Sequence, residues 1–196
     1  MISAIVLAAG LSRRMGKSKL LLAYGGTTVL RHATEHVLGA GVHDVVVVVG
    51  PEHEATARAL EGLPVRLAVN PTPEAGQGSS VGAGVRALAP GTTAVLIALG
   101  DQPEVPAGVI AALLEAIKAL GKSIAVPRYA DGLGNPVLFA SPVFPELLDL
   151  PGDRGARAVV ERERSRLAIV DVPTPMPPDI DTPEDYERLK GPGNPG

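Results

Sequence analysis

At 196 residues, with 45% hydrophobic and 20% charged residues and a formal net charge of −3, the chain suits one domain with a sizeable core and leaves little room for two. These proportions exclude a disordered chain, and the mildly acidic balance lacks the basic footprint of a nucleic-acid-binding module. The absence of cysteine excludes a disulfide scaffold, a thiolate zinc or Fe–S site and a Cys nucleophile.

Along the chain, short β-branched runs alternate with longer helical patterns. The expected order is strand 3–7, helix 28–38, strand 44–49, helix 52–60, strand 65–69, helix 79–88, strand 94–98, a helix ending at Leu120, strands 123–126 and 136–139, helix 156–162, strand 167–170 and helix 183–189. Most strands are apolar throughout, as strands buried on both faces are. The helix before Leu120 carries Val109, Ile110, Leu113, Leu114, Ile117 and Leu120 on one stripe, with Pro106 to open it and Gly121 to close it. The pattern predicts a three-layer α/β domain over 1–190 with a mostly parallel, Rossmann-like sheet. Residues 191–196, Gly-Pro-Gly-Asn-Pro-Gly, have no apolar side chain to dock and read as a frayed tail. The first apolar stretch precedes Arg13 and Arg14 instead of following them, the reverse of a secretory signal. The Val45–Val49 run is far shorter than a membrane span, so a cytoplasmic protein is expected.

In such sheets ligands gather beyond the carboxyl ends of the strands, which directs attention to the loops after Leu7, Val69, Ala98 and Phe139. The first, Leu7 to Lys19, combines small residues with Arg13, Arg14, Lys17 and Lys19, and glycine-rich backbone with clustered cations suits a polyphosphate. An ordinary strand-to-helix turn with solvated cations is the plainer alternative. A Walker A loop is not: five residues separate Gly10 from Gly16 where that motif needs four, and 19–26 reads as an extended segment and turn. No dinucleotide fingerprint occurs either.

The loop from Asn70 to Val81 holds Gly76-Gln77-Gly78-Ser79-Ser80; Ser79 or Ser80 can cap the next helix, and its amides and hydroxyls can read a base or ribose. In the third loop an apolar strand runs into Gly100-Asp101-Gln102-Pro103. A carboxylate there suits Mg²⁺, a hard cation that bridges substrate phosphates, although a helix-capping role is also open. Asp179, Asp181 and Asp185 offer further carboxylates near a Thr182-Pro183 helix start. His32 and His36 have the spacing of a zinc pair without a third ligand and read as packing residues, and 161–166 reads as a solvated, salt-bridged helix end.

Taken together, Leu-Ala-Ala-Gly-Leu-Ser-Arg-Arg-Met-Gly-x-x-Lys, Gly-Gln-Gly-Ser-Ser-Val, Gly-Asp-Gln-Pro, Gly134-Asn135-Pro136-Val137, Gly152-Asp153-Arg154-Gly155 and Asp-Ile-Asp-Thr-Pro-Glu-Asp resemble the molybdenum cofactor cytidylyltransferase family of MobA-like nucleotidyltransferases. The resemblance implies a sheet of the nucleotide-diphospho-sugar transferase type and transfer of CMP from CTP to the phosphate of the molybdopterin cofactor, with Mg²⁺. It further implies that Leu7, Ala8, Ala9, Gly10, Asn70, Gln77, Gly78, Ser79 and Ser80 serve the nucleotide. Arg14, Lys19 and Asp101 would be catalytic, with Arg14 and Lys19 on the triphosphate, and Asp101 and Asp181 would hold the metal. Gly134, Asn135 and Arg154 would meet the pterin, Asn135 standing where the family usually has His. Ala9, where guanylyltransferases tend to have Gly, favours cytosine. An apo molybdenum hydroxylase is an implied partner; guanylyl or other nucleotidyl transfer, and a non-catalytic accessory role, are the alternatives.

Overall fold

The computed structural model describes residues 1–10 and 18–190. Arg14 and the tail 191–196, both named above, lie outside the described residues. The elements are β1 (Ile2–Ala8), β2 (Ala23–Tyr24), β3 (Thr27–Thr28), α1 (Val29–Gly39), β4 (Asp44–Val49), α2 (Glu54–Ala59), β5 (Arg66–Val69), α3 (Gln77–Arg86), β6 (Ala94–Leu99), α4 (Ala107–Leu120), β7 (Ile124–Tyr129), β8 (Gly132–Leu133), β9 (Val137–Ala140), α5 (Phe144–Leu148), α6 (Arg157–Arg162), β10 (Leu167–Asp171) and α7 (Pro183–Lys190).

The main sheet runs β10-β7-β9-β6-β1-β4-β5, with β8 paired to β7, and β2 and β3 form a separate hairpin. Its central strands are buried on both faces, and their side chains alternate between two cores. Ala4, Val6 and Ala8 of β1 join Val45, Val47 and Val49 of β4 under α1 and α4, where Leu30, Val37, Ile110 and Leu113 meet them. Ile5, Val46, Val48, Val95 and Ile97 face the other way, against Val81 and Val85 of α3, Leu147 of α5 and Val159 of α6. This is the expected three-layer α/β architecture.

The sheet is mixed, because β9 pairs antiparallel with both β6 and β7. Only seven residues separate Tyr129 from Val137, too few for the crossover that a parallel neighbour requires, so the chain turns tightly through β8 and returns. This reversal corrects one expectation. The loop after Phe139 lies at the opposite edge, where Ala140 pairs with Ala94 and the Ser141 amide donates to the Thr93 carbonyl. The loop that reaches the carboxyl edge is the one before β9, Gly134-Asn135-Pro136, whose Gly134 amide donates to Pro127 O.

Two helix expectations also shift. The stripe of α4 ends early, since Leu120 is 58% exposed next to the left-handed Gly121 that closes the helix. Helix α3 starts at Gln77, capped by Gly76 and not by Ser79 or Ser80. The turn before it needs φ +98° at position 76, which glycine alone adopts at little cost.

Candidate active site

A cleft of about 510 Å³ opens at the carboxyl edge of β1 and β6, lined among others by Leu7, Ala9, Gly10, Lys19, Gln77, Ser80, Asp101 and Asp181. Three separate loops of the sequence therefore meet in one cavity. Their approach is close: the Gly100 amide donates to Leu7 O at 3.0 Å. A Cβ at position 100 would lie 2.9 Å from that oxygen and 2.8 Å from Leu30 Cδ1, so only glycine brings Asp101 this near to β1.

At the floor, Lys19 Nζ lies 2.5 Å from Asp101 Oδ2 and 2.8 Å from Asp181 Oδ1. Residues 82 and 162 positions away thus supply two carboxylates to one ammonium. Burial opposes the charge on Lys19, but the two carboxylates outweigh it and raise the pKa above its ordinary value. The ammonium stays protonated throughout the neutral range. The Asp179 pKa also rises, but here that favours the neutral form: although the residue as a whole is exposed, desolvation of its carboxyl and the charge of Asp101 raise it. Beside it Gln102 is 2% exposed, and its Oε1 has no hydrogen-bond partner among the described residues.

The opposite wall is the start of α3. Gly76 and Gln77 line the cleft there; the Gly76 amide donates to Pro73 O at 3.2 Å and the Ser79 amide to Gly76 O at 3.1 Å, while the positive end of the helix dipole lies at this wall. Asn70 ties this wall together. It is 1% exposed; its Nδ2 donates to Ser79 Oγ at 2.8 Å and Ser80 Oγ at 3.0 Å, and its Oδ1 accepts from the Thr72 amide at 3.1 Å. Ser79 in turn donates to Gly76 O at 2.8 Å. Asn70, Ser79 and Gly78 consequently shape the cleft from behind, and Ala8 points its methyl into the core.

The remaining sequence candidates are placed differently. Gly134 packs against Met176 and Tyr129, and Asn135 O accepts from the Tyr129 hydroxyl at 2.8 Å; both sit on the same sheet edge without lining the cleft. Arg154 pairs with Glu161 and is not among the lining residues. Its neighbour Asp153, together with Glu74, lines the cleft, and neither was singled out from sequence. The signal for Asp153 was the glycine on each side of Asp153-Arg154, which permits the loop to close on Gly76. His32 and His36 pack against each other as tilted rings, with centroids 4.6 Å apart and Tyr24 edge-on to His32.

Comparison with known proteins decides the family. A family model described as the MobA-like NTP transferase domain matches residues 4–167. The chain belongs to the MobA-like NTP transferase family. It is 32% identical to the purine catabolism protein PucB of Bacillus subtilis, covering 95% of this chain and 94% of that protein. It is 31% identical to the nicotine blue oxidoreductase of Paenarthrobacter nicotinovorans, covering 96% of each. The crystal structure of Rv0371c from Mycobacterium tuberculosis superposes with a TM-score of 0.86 at 32% identity, over 96% of each chain, and a manganese complex of Rv0371c with 0.83 at 31%. The fold is thus of the nucleotide-diphospho-sugar transferase type, and this MobA-like member is a nucleotidyltransferase by family. No helix among the described residues is long and apolar enough to cross a membrane.

Proposed function

We propose that this chain is a Mg²⁺-dependent cytidylyltransferase that transfers CMP from CTP to the phosphate of the molybdopterin cofactor and releases pyrophosphate. The observation that carries the reading is Lys19 held between Asp101 and Asp181 on the floor of a cleft whose far wall is a helix start. The two carboxylates already converge on one cation, and the described residues contain no cluster of three His, Cys, Asp or Glu that could hold a metal. That set fits Mg²⁺, which takes one or two carboxylates and completes its shell from substrate phosphates and water. Asp101 and Asp181 would hold it, and its chemistry is to neutralise charge on the phosphates.

The residues present match the rest of the reaction. A phosphate monoester has its second pKa near about 6, so the nucleophile is ionised without a general base. The difficulty is bringing one anion onto another. Lys19, kept protonated by its carboxylates, stabilises the charge that grows on the departing pyrophosphate. Arg14, outside the described residues, is proposed to assist on the same triphosphate. Gln77 and Ser80, which line the cleft at the start of α3, are proposed to meet the nucleoside end. Ala9, 6% exposed, puts a methyl on the cleft wall where a glycine would leave room for a purine. Gly134 and Asn135, beside the cleft on the β7 side, are proposed for the pterin, and Arg154 would have to leave Glu161 to join them. The product's recipient is proposed to be an apo molybdenum hydroxylase in the cytoplasm.

The deciding experiment supplies each of the four NTPs with Mg²⁺ and molybdopterin and measures pyrophosphate. CTP-dependent release requiring molybdopterin is expected. Equal turnover of GTP would remove the cytidylyl assignment and keep nucleotidyl transfer. Oxidation or reduction of nicotine blue without pyrophosphate release would place the chain functionally with the nicotine blue oxidoreductase.

A further inference from the structure

We propose that Asp185 is a positioning residue that aims Asp181 at the floor of the cleft through a bond to the Asp181 amide. The inference rests on the reading of Asp101 and Asp181 as the metal-holding pair. Asp181 meets Lys19 at 2.8 Å, yet its side chain is 48% exposed, so packing does little to fix the direction of the carboxylate. The backbone at 181 fixes it instead. Just before it, Ile180 is fully buried against Leu22, Tyr24 and Val29, and its amide donates to Asp101 O at 3.3 Å. Those contacts set how near the segment lies to Asp101. Just after it, Asp185 Oδ2 accepts from the Asp181 amide at 3.2 Å, the Thr182 amide at 2.9 Å and the Thr182 hydroxyl at 2.8 Å. One oxygen gathers three donors, and they set the turn of the peptide from which Asp181 projects.

A helix cap alone needs less. Thr182 Oγ1 accepts from the Asp185 amide at 3.2 Å and Asp185 accepts from the Thr182 amide, which is a reciprocal capping box opening α7. The bond to the Asp181 amide lies outside that box, one residue before the cap. It adds nothing to the helix and belongs to the peptide that carries the floor carboxylate. The other oxygen of Asp185 faces Arg188 at 3.6 Å, and Asp185 does not line the cleft. It acts on the floor through Asp181.

The test uses Mn²⁺ in place of Mg²⁺, with free Mn²⁺ read by electron paramagnetic resonance. Its dissociation constant should rise at least about fivefold in Asp185→Ala. Asp185→Asn, whose carbonyl oxygen can take the place of Oδ2, should stay within about twofold of wild type. Thr182→Ala breaks the capping box but keeps the bond to Asp181. It should lower the thermal midpoint about as far as Asp185→Ala does and still bind Mn²⁺ within about twofold of wild type. In an Asp181→Ala background, Asp185→Ala should change nothing further. Wild-type Mn²⁺ affinity in Asp185→Ala, or equal weakening in Thr182→Ala and Asp185→Ala, would reduce Asp185 to a helix cap and overturn the proposal. Helix α7 has no buried residue, so loss of its cap leaves the sheet folded. Should Asp185→Ala not fold, Asp185→Ser takes its place under the same criteria. Wild-type protein that binds no Mn²⁺, or Asp181→Ala protein that binds it unchanged, overturns the metal reading first, and this inference with it.

Discussion

In the β5-β4-β1-β6 half of the sheet all strands run the same way, whereas the β9-β7-β10 half contains a reversal. The parallel half delivers every loop that follows a strand to one edge, and those loops build the cleft: 7–10, 70–80 and 99–101. The mixed half reaches the same edge by a loop that precedes a strand, Gly134-Asn135-Pro136, and by the return from β10 that carries Asp181. Strand direction, not the order of elements, decides which loops become a site. The proposed division of labour follows it, with nucleotide and reacting centre on the parallel side and acceptor on the mixed side.

The hardest test of that division is the shared floor. Lys19→Ala and Asp101→Ala should each lower kcat by roughly 10²–10³ in pyrophosphate-release kinetics, with a smaller change in the KM for CTP, because their charge acts most on the departing group. Their thermal midpoints should stay near wild type, since both side chains are polar and partly exposed. Activity within a few-fold of wild type would make Asp101 a structural cap.

A packing comparison comes next. At position 78 an added Cβ would meet Leu150 O at 2.2 Å, and at position 10 it would meet nothing within 4 Å among the described residues. Gly78→Ala should therefore cost about 1–3 kcal/mol in urea unfolding, and Gly10→Ala within about 0.5 kcal/mol. Equal losses would mean that α3 can retreat freely from the segment that follows α5.

The sequence legibility of the two halves differs for the same physical reason. Apolar runs such as Val45–Val49 announce strands buried on both faces, and the glycines around Asp101 and Gln77 announce close backbone approach. Nothing in the composition of 137–140 states its direction; only the short connection through β8 does. The five-residue α5 is too short for a helical period to register, and β2 and β3 are two residues each. The Lys19–Asp181 pair spans almost the whole chain, so its geometry belongs to the fold alone.

Asn135→Ala should separate the halves kinetically. A rise of several-fold to about tenfold in the KM for molybdopterin, with the KM for CTP unchanged, is expected from loss of one polar contact. A change in the CTP value alone would move Asn135 to the nucleotide side.

The smallest effect lies at the sheet edge. Arg66 grips Asp44 with bonds of 2.9 and 2.7 Å, and these hold the Asp44 carboxyl below its usual range. A depressed folded pKa contributes stability above the unfolded value of about 3.9 and loses it as pH falls through the lower folded value. Asp44→Asn should thus cost at most about 1 kcal/mol at pH 7, since Arg66 is half exposed, and the difference from wild type should vanish under strongly acidic conditions. Urea unfolding at both pH values reads this, with CTP turnover unaffected.

Crystals grown with CTP and Mn²⁺ test the central assignment most directly, because manganese is located by its anomalous signal. The expected result is a metal within coordinating distance of Asp101 and Asp181, with the triphosphate against Lys19 and the base between Ala9 and the start of α3. A metal bound elsewhere, or CTP lying outside the cleft, would contradict it.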